Sequence, residues 1–314
     1  MPRNRIIYQS QAVGITGDAT NNTLVTLHGV QSVTYGIEVS REEVNQFGQL
    51  GAVDRIVLEA PTATQEVQFH YPNGLTAAQL TALVTGSLST AVNGLLIALD
   101  SDEGQDYAES NNTTSTVYLK SGRLSSLSFE ASVGAIPSVT LGFEGTALVY
   151  ANAPATPVAA PTGSYNTNLV SFTGVNLTLA NGSATHIDTH AQSATLSFDL
   201  GSEGLQRLGA GGLVYARVPT FPATATLEVE GLAIDRGMSL DLDNLSSKAS
   251  DSANTDLGGR TNVSVSVGSV TFTLVNATLD SVSYNNAIGD NATCSATFGV
   301  SIGGVSSSST LLIT

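Results

Sequence analysis

"QSVTYGIEVSREEVNQFGQLGAVDRIVLEAP", residues 31–61, has a faded second version in the same chain, "QSATLSFDLGSEGLQRLGAGGLVYARVPTFP" at residues 192–222. The two align without a gap at an offset of 161, with nine identical pairs that include Gln31/Gln192, Thr34/Thr195, Glu42/Glu203 and Gly48/Gly209. In the first copy Val33, Tyr35, Ile37 and Val39 alternate with Ser32, Thr34, Gly36 and Glu38. In the second Ala194, Leu196, Phe198 and Leu200 alternate with Ser193, Thr195, Ser197 and Asp199. A period of two marks a strand with one buried face, so each stretch predicts a strand whose other face is small, polar and partly acidic.

Two more blocks recur in the same order. "LVTLHGV" at 24–30 matches "LVSFTGV" at 169–175, and "LSSLSFEASVGAIPSVTLGF" at 124–143 matches "LDSVSYNNAIGDNATCSATF" at 279–298. Val139, Leu141 and Phe143, like Cys294, Ala296 and Phe298, again occupy every second position. The offsets of 145, 161 and 155 predict a 16-residue insertion in the second copy, near 176–191. A further residue inserted after the Pro brings Thr64, Glu66 and Gln68 onto Thr226, Glu228 and Glu230. Between the copies lies "NAPATPVAAPTGSYNT", residues 152–167, with three of the nine prolines, which reads as an extended linker. The chain therefore divides into tandem domains at 1–151 and 168–314, each long enough to bury a core.

One helix is signalled. In "LTAAQLTALVTG" Thr76 and Gln79 have the spacing of a capping box, Leu75 and Leu80 can staple it, and Gly86 can end it. Leu80, Leu83 and Val84 form its apolar stripe and predict packing across a sheet face. The second copy offers only "NLSSKASDSANTDLGGR", 244–260, which reads as a long loop. The resulting fold class is all-β, a sandwich or barrel-like domain with a flanking short helix, present twice.

A net charge of −15, with 11 Lys and Arg against 26 Asp and Glu, excludes a protein that grips nucleic acid, because that affinity comes from cations neutralising phosphates. The opening "MPRNRIIYQSQ" has no apolar run behind its basic residues, and no stretch reaches about 18 apolar residues, so the reading is of a soluble chain kept in a cytoplasm, without membrane contact. The lone Cys294 excludes an internal disulfide and a multi-cysteine zinc site, and its place on an apolar strand face makes it a core residue.

Candidate chemistry is sparse. "HIDTHAQ" would project His186, Asp188 and His190 from one side of a strand, a donor set suited to zinc, though a polar hairpin is the plainer reading. "DSDEGQDYAE" gathers Asp100, Asp102, Glu103, Asp106 and Glu109, but its Gly is misplaced for a calcium loop and the terminal Glu is missing, so a solvated acidic loop is preferred. "LGAGGLVYA" corresponds to "FGQLGAVDR", which makes its glycines loop geometry and not a phosphate cradle. No nucleophile-elbow pattern appears and the chain has four His, so no enzyme and no cofactor is expected.

"REEVNQFGQLGAVDRIVLEAP" at 41–61, followed by "FEASVGAIPSVTLGFEG" at 129–145, resembles the major tail tube proteins of tailed bacteriophages, especially long-tailed siphophages. The Asn-Gln-Phe-Gly run, the Asp-Arg pair and Val-Gly-x-x-Pro before an alternating strand carry the match; the second copy keeps the periodicity and loses those motifs. The resemblance implies a β-sandwich-like domain with a long loop between two inner strands, six domains to a ring, and rings stacked into a tube. Two tail-tube-like domains in one chain then imply homotrimeric, pseudo-hexameric rings in a virion tail assembled in the host cytoplasm. Its partners would be itself and the tape-measure, terminator and baseplate or tip proteins, with DNA passing through unbound. A lumen that passes DNA should be lined with small polar groups and excess carboxylates. Glu38, Glu42, Glu66, Asp199, Glu203 and Glu228 are the candidates for that wall. Asn45, Gln46, Phe47, Asp54, Arg55 and Arg217 are the candidates for intersubunit loops, the two arginines as ion-pair donors. A β-rich adhesion or decoration module of the virion surface or secreted space is the alternative, since repeats and Asn/Thr richness suit it too.

Overall fold

A computed structural model describes residues 11–16, 25–57, 61–71, 75–88, 94–99, 115–152, 172–178, 185–188, 191–206, 214–232, 261–267, 270–286, 288, 291–303 and 310–314. The first half contains β1 (Gln11–Thr16), β2 (Val25–Thr26), β3 (Val30–Glu38), β4 (Arg41–Val44), β5 (Asp54–Val57), β6 (Thr62–His70), α1 (Ala77–Ser87), β7 (Gly94–Leu99), β8 (Ser115–Lys120), β9 (Arg123–Ser132), β10 (Ser138–Gly145) and β11 (Ala147–Asn152). The second half contains β12 (Phe172–Thr178), β13 (Thr185–Asp188), β14 (Ala191–Asp199), β15 (Ser202–Gln206), β16 (Val214–Pro219), β17 (Ala223–Leu232), β18 (Thr261–Val267), β19 (Val270–Asn285), β20 (Thr293–Ile302) and β21 (Thr310–Ile313). The fold is all-β with one short helix among the described residues, and every ladder is antiparallel.

One sheet runs through both halves in the order β3-β6-β10-β9-β14-β17-β20-β19, so β9 of the first half is hydrogen-bonded to β14 of the second. A second layer of five strands, β11-β8-β7-β1-β2, covers the first half. Its counterpart in the second half is β21-β19-β18-β12-β13, where the N-terminal part of β19 does the work of β8 and its C-terminal part the work of β9.

The halves repeat each other in register. Thr34↔Glu66 in β3 and β6 becomes Thr195↔Glu228 in β14 and β17, and Thr140↔Ser128 in β10 and β9 becomes Ser295↔Ser283 in β20 and β19. Even the irregularities recur. The bulge between Val30 and Ser32 reappears between Ala191 and Ser193, and the shift between Gly142 and Phe143 has its counterpart between Leu279 and Ser281. Ser121 and Asn276, 155 residues apart, both take a left-handed backbone, with φ of 53° and 59°, where the chain passes from the outer layer into the main sheet. Bulges and left-handed residues re-aim a strand, so their repetition copies shape as well as pattern.

This register corrects the sequence alignment in two places. Residues 176–191 are no insertion: β12 pairs with β18 and β13 as β1 pairs with β7 and β2, so that hairpin is the ordinary counterpart of β1 and β2. The match of 24–30 to 169–175 rested on a short apolar alternation that any strand supplies. The extra residue of the second copy lies inside the β15–β16 hairpin and not after the Pro, because Arg41 pairs with Val57 but Ser202 pairs with Pro219. Arg55 thereby corresponds to Arg217.

Smaller differences concern ends. The capping box at Thr76 and Gln79 is formed, but α1 continues past Gly86 to Ser87, where the Leu88 amide donates back to the Val84 and Gly86 carbonyls. Asn152 closes β11 and does not begin the linker. The remainder of the linker, the acidic stretch 100–109 and the loop 244–260 lie outside the described residues.

The apolar faces meet in one core. Val67, Phe69, Leu127, Val139, Leu141, Leu196, Phe198, Leu227 and Phe298 are buried in it, as is the free thiol Cys294. An aromatic cluster knits the halves: Phe129 stacks on Phe272 of the second half with centroids 4.6 Å apart, and Tyr71 meets both edge-on. Burial pushes the Tyr71 hydroxyl pKa up, since ionisation there would strand a charge in the core. Gln65, also buried, ties the layers by accepting from the Leu95 amide at 3.0 Å. The Thr81 hydroxyl on α1 lies 2.7 Å from the Ile313 carbonyl, fastening the helix to the last strand of the second half.

β3 departs from expectation. Its apolar residues Tyr35 and Ile37, and Val39 just beyond its end, are 40%, 51% and 36% exposed, whereas Leu196, Phe198 and Leu200 at the corresponding places are buried. β14 lies between two strands and β3 lies at the end of the sheet, so sequence pattern alone assigned the same burial to unequal positions.

Phe129→Ala should cost about 3–5 kcal/mol, the range for deleting a buried phenyl ring. Chemical denaturation followed by tyrosine fluorescence would measure it, and a loss below about 1 kcal/mol would show that the halves are not joined through this cluster.

Candidate functional site

The face of the main sheet turned away from the core is built from every second residue of its strands. One row across it reads His70, Ser138, Glu130, Thr195, Glu228, Thr297, Ser281. The next reads Gln68, Thr140, Ser128, Ser197, Thr226, Gly299, and the one beyond it Thr34, Glu66, Gly142, Ser126, Asp199, Thr224, Ser301. Hydroxyls and glycine fill most positions, and the charges are carboxylates.

Each of Glu66, Glu130, Asp199, Glu228 and Glu230 has only Ser, Thr or Gly directly opposite on both neighbouring strands. Like charges placed directly opposite destabilise a sheet, and this spacing avoids that while keeping the field of the whole face negative. Cations stand only at one end. There Arg123 is opposite Glu144 in register, with its pKa lowered by burial, and Arg217 reaches Glu144 from the β15–β16 hairpin.

That Arg217 contact joins the halves. Its side chain is 7% exposed, and its guanidinium donates to Glu144 Oε2 at 3.0 Å, to Ser202 Oγ at 2.7 Å and to Thr62 Oγ1 at 2.8 Å. Ser202 Oγ also donates to Glu144 Oε2 at 2.6 Å. The hairpin of the second half is therefore latched onto β6 and β10 of the first. The first half's own hairpin, β4–β5, is exposed from Arg41 to Arg55, with Phe47 and Leu50 fully so at its tip. Its turn is closed by the Gln49 amide donating to the Gln46 carbonyl, with Gly48 at φ +88°, the left-handed conformation a glycine adopts without strain.

Of the acidic candidates, Glu38, Glu66, Asp199 and Glu228 share the polar face; Glu42 and Glu203 stand on the hairpins instead, because the strands break after Glu38 and Asp199. Sequence reading missed Glu130, Glu144 and Asp280, although Glu130 is two places from Ser128 and Ser132 in the same alternation, and it aligned Glu230 with Gln68 without counting it among the acidic candidates. Asn45, Gln46 and Phe47 sit at the exposed hairpin tip, Asp54 accepts from the Arg55 amide, and Arg55 pairs with Glu43 across the hairpin at 3.0 Å from Nε. Arg217 is the latch just described. For the metal candidates, His186 and Asp188 fall on strand β13, while His190 lies outside the described residues. Among the described residues no group of three or more His, Cys, Asp or Glu is placed to hold a metal ion.

No family model and no curated protein matches the chain. Solved structures do. The chain is similar to a component of the tail of an empty GTA particle, refined helically with C6 symmetry, at 15% identity and a TM-score of 0.32, over 48% of this chain and 99% of the other. It is also similar to a component of the six-fold symmetrised baseplate of the anti-feeding prophage, at 13% identity and a TM-score of 0.32, over 46% of this chain and 95% of the other.

The two hairpin arginines should behave differently in the folded chain. Arg217→Ala strips a buried donor from a partly buried carboxylate and should destabilise by about 1–3 kcal/mol. Arg55→Ala breaks an exposed pair and should cost at most about 1 kcal/mol. Denaturant titration of both variants would check this; equal losses would contradict the latch.

Proposed function

We propose that this chain is a structural virion protein, the major subunit of a phage tail tube, with two tandem tube domains, 1–151 and 168–314, and no catalytic role. The observation that carries this reading is the main sheet: two repeats of the same four-stranded unit, placed side by side, with one face of hydroxyls and spaced carboxylates. A sheet built from repeats in one direction continues by adding further copies until it closes.

Three copies bring about 24 such strands, and at about 4.8 Å per strand the circumference is about 115 Å, a backbone diameter of about 37 Å before tilt widens it. Small side chains on the inner wall leave that bore open. Carboxylates at Glu38, Glu66, Glu130, Asp199, Glu228 and Glu230 would repel phosphates, so DNA would move along the wall without binding. The resemblance of residues 41–61 and 129–145 to tail tube proteins supports the same role, and the exposed hairpin tip, with Asn45, Gln46 and Phe47, is the proposed contact to the next ring. Other tail proteins would meet the ends of the tube.

Electron microscopy of the purified protein under assembly-promoting conditions should show rings or tubes with three chains per ring, and a protein that stays monomeric throughout would overturn the reading. Replacing Glu66, Glu130, Glu228 and Glu230 together with Lys should turn a wall indifferent to DNA into one that retains it, with affinity falling steeply as salt rises. A lumen assignment does not survive if the assembled variant remains indifferent to DNA at low salt.

A further inference from the structure

The chain contains one complete joint between repeats and the two open halves of a second. At the complete joint, β9 pairs with β14 from Ser132↔Ser193 to Ser126↔Asp199, and the ladder is extended by the Leu200 amide donating to the Ser125 carbonyl and the Val133 amide donating to the Gln192 carbonyl. The counterpart of β14 is β3 and the counterpart of β9 is the C-terminal part of β19. Among the described residues no strand pairs with the outer edge of either.

Burial marks what is missing. Leu196, Phe198 and Leu200 are 1%, 1% and 2% exposed, and their counterparts Tyr35, Ile37 and Val39 are 40%, 51% and 36% exposed. On the other side Phe129 is fully buried and its counterpart Tyr284 is 44% exposed. Long apolar sheet edges of this kind are normally covered or paired.

We infer that β19 of one copy pairs with β3 of the next in the register Tyr35↔Tyr284, Gly36↔Ser283 and Ile37↔Val282, and that the β4–β5 hairpin of the second copy closes the joint by bringing Arg55 to Asp280 of the first. The register is that of β9–β14 carried over by the internal repeat. The ion pair follows from the same operation. Arg55 corresponds to Arg217, and Thr62 to Thr224. The place of Glu144 is taken by Gly299, over which the Asp280 carboxylate lies: a Cβ built on Gly299 would meet Asp280 Oδ2 at 2.2 Å. Asp280 thus fills, from the neighbouring strand, the site that Glu144 fills in the first half.

Charge agrees. Thr278 replaces Arg123 beside this carboxylate, so the second half lacks the cation that flanks Glu144. The hairpin that would reach it carries Arg41 and Arg55 on one face, at the places of Ser202 and Arg217.

This inference rests on the ring reading above and is tested separately from it. In a Cys294→Ala background, Gly36→Cys with Ser283→Cys should oxidise to covalent chain-to-chain oligomers. No atom lies within 4 Å of where the Gly36 Cβ would be, so the substitution is tolerated. Gly36→Cys with Ser281→Cys or with Asn285→Cys, two places out of register, should link at least about tenfold more slowly because the Cα separation exceeds disulfide reach. Ser128→Cys with Ser197→Cys, the equivalent pair inside the chain, is the positive control. Arg55→Asp should abolish assembly while leaving the unassembled chain folded, and Arg55→Asp with Asp280→Arg should restore it. Rings that link through an out-of-register pair, or that form unaffected by Arg55→Asp, overturn the joint and leave the ring reading standing. A parent protein that forms no rings, together with no chain-to-chain linkage by any of the cysteine pairs, would overturn the ring reading itself.

Discussion

The ladder between β9 and β14 is the interaction on which the molecule depends. A strand edge exposes a row of amide and carbonyl groups whose hydrogen bonds must be made somewhere. By making them between its own halves, the chain turns two sandwiches into one continuous sheet and one core. The aromatic contact of Phe129 with Phe272 and the Arg217 latch are placed along this seam, one on the core side and one at the end of the polar side. Neither could form if the ladder were shifted, because a one-residue slip moves every side chain to the opposite face.

The polar face shows how a wall can be acidic without straining its own sheet. Carboxylates alternate with hydroxyls along strands and across them, and where a bulge or long side chain crowds the surface the neighbour is glycine. A Cβ on Gly142 would lie 2.3 Å from Ser126 Oγ, so that glycine makes room for the hydroxyl beside the bulge, as Gly299 does for Asp280. These are local packing requirements met at different positions in the two halves, since Gly142 corresponds to Thr297 and Gly299 to Glu144, so each half makes room where its own side chains crowd the face.

Much of this was legible in the sequence, because alternation reports which side of a strand is apolar. The buried faces of β10, β14 and β20, the helix cap at Thr76 and the core position of Cys294 follow from period and capping chemistry alone. Two things were not legible. Alternation does not say whether a strand is central or terminal, so Tyr35 and Ile37 looked as buried as Leu196 and Phe198. Short apolar runs align with one another at several offsets, so the counterpart of β1 and β2 was mistaken for an insertion carrying a metal-like cluster. Glu130 was not legible as part of the acidic face because its counterpart in the second half is Asn285, so the acid is not repeated between the copies.

In the proposed ring the two hairpins would have different tasks, and their sequences diverge accordingly. β15–β16 docks onto the half to which it is covalently tied, at an effective concentration set by the chain, so a single arginine among neutral neighbours is enough to hold it. Arg217 meets one carboxylate and two hydroxyls, and Gly204 leaves the surface beside it clear. The β4–β5 hairpin would have to find its site on another molecule, where encounter is bimolecular and complementary charge raises the association rate and penalises wrong registers. Arg41, Glu43 and Arg55 give it such a charge pattern, and the Glu43 partner keeps Arg55 extended along the hairpin before any encounter. On the proposed joint, the replacement of "VNQFGQ" by "LQRLGA" in the second copy has a physical basis: one hairpin would serve folding and the other recognition.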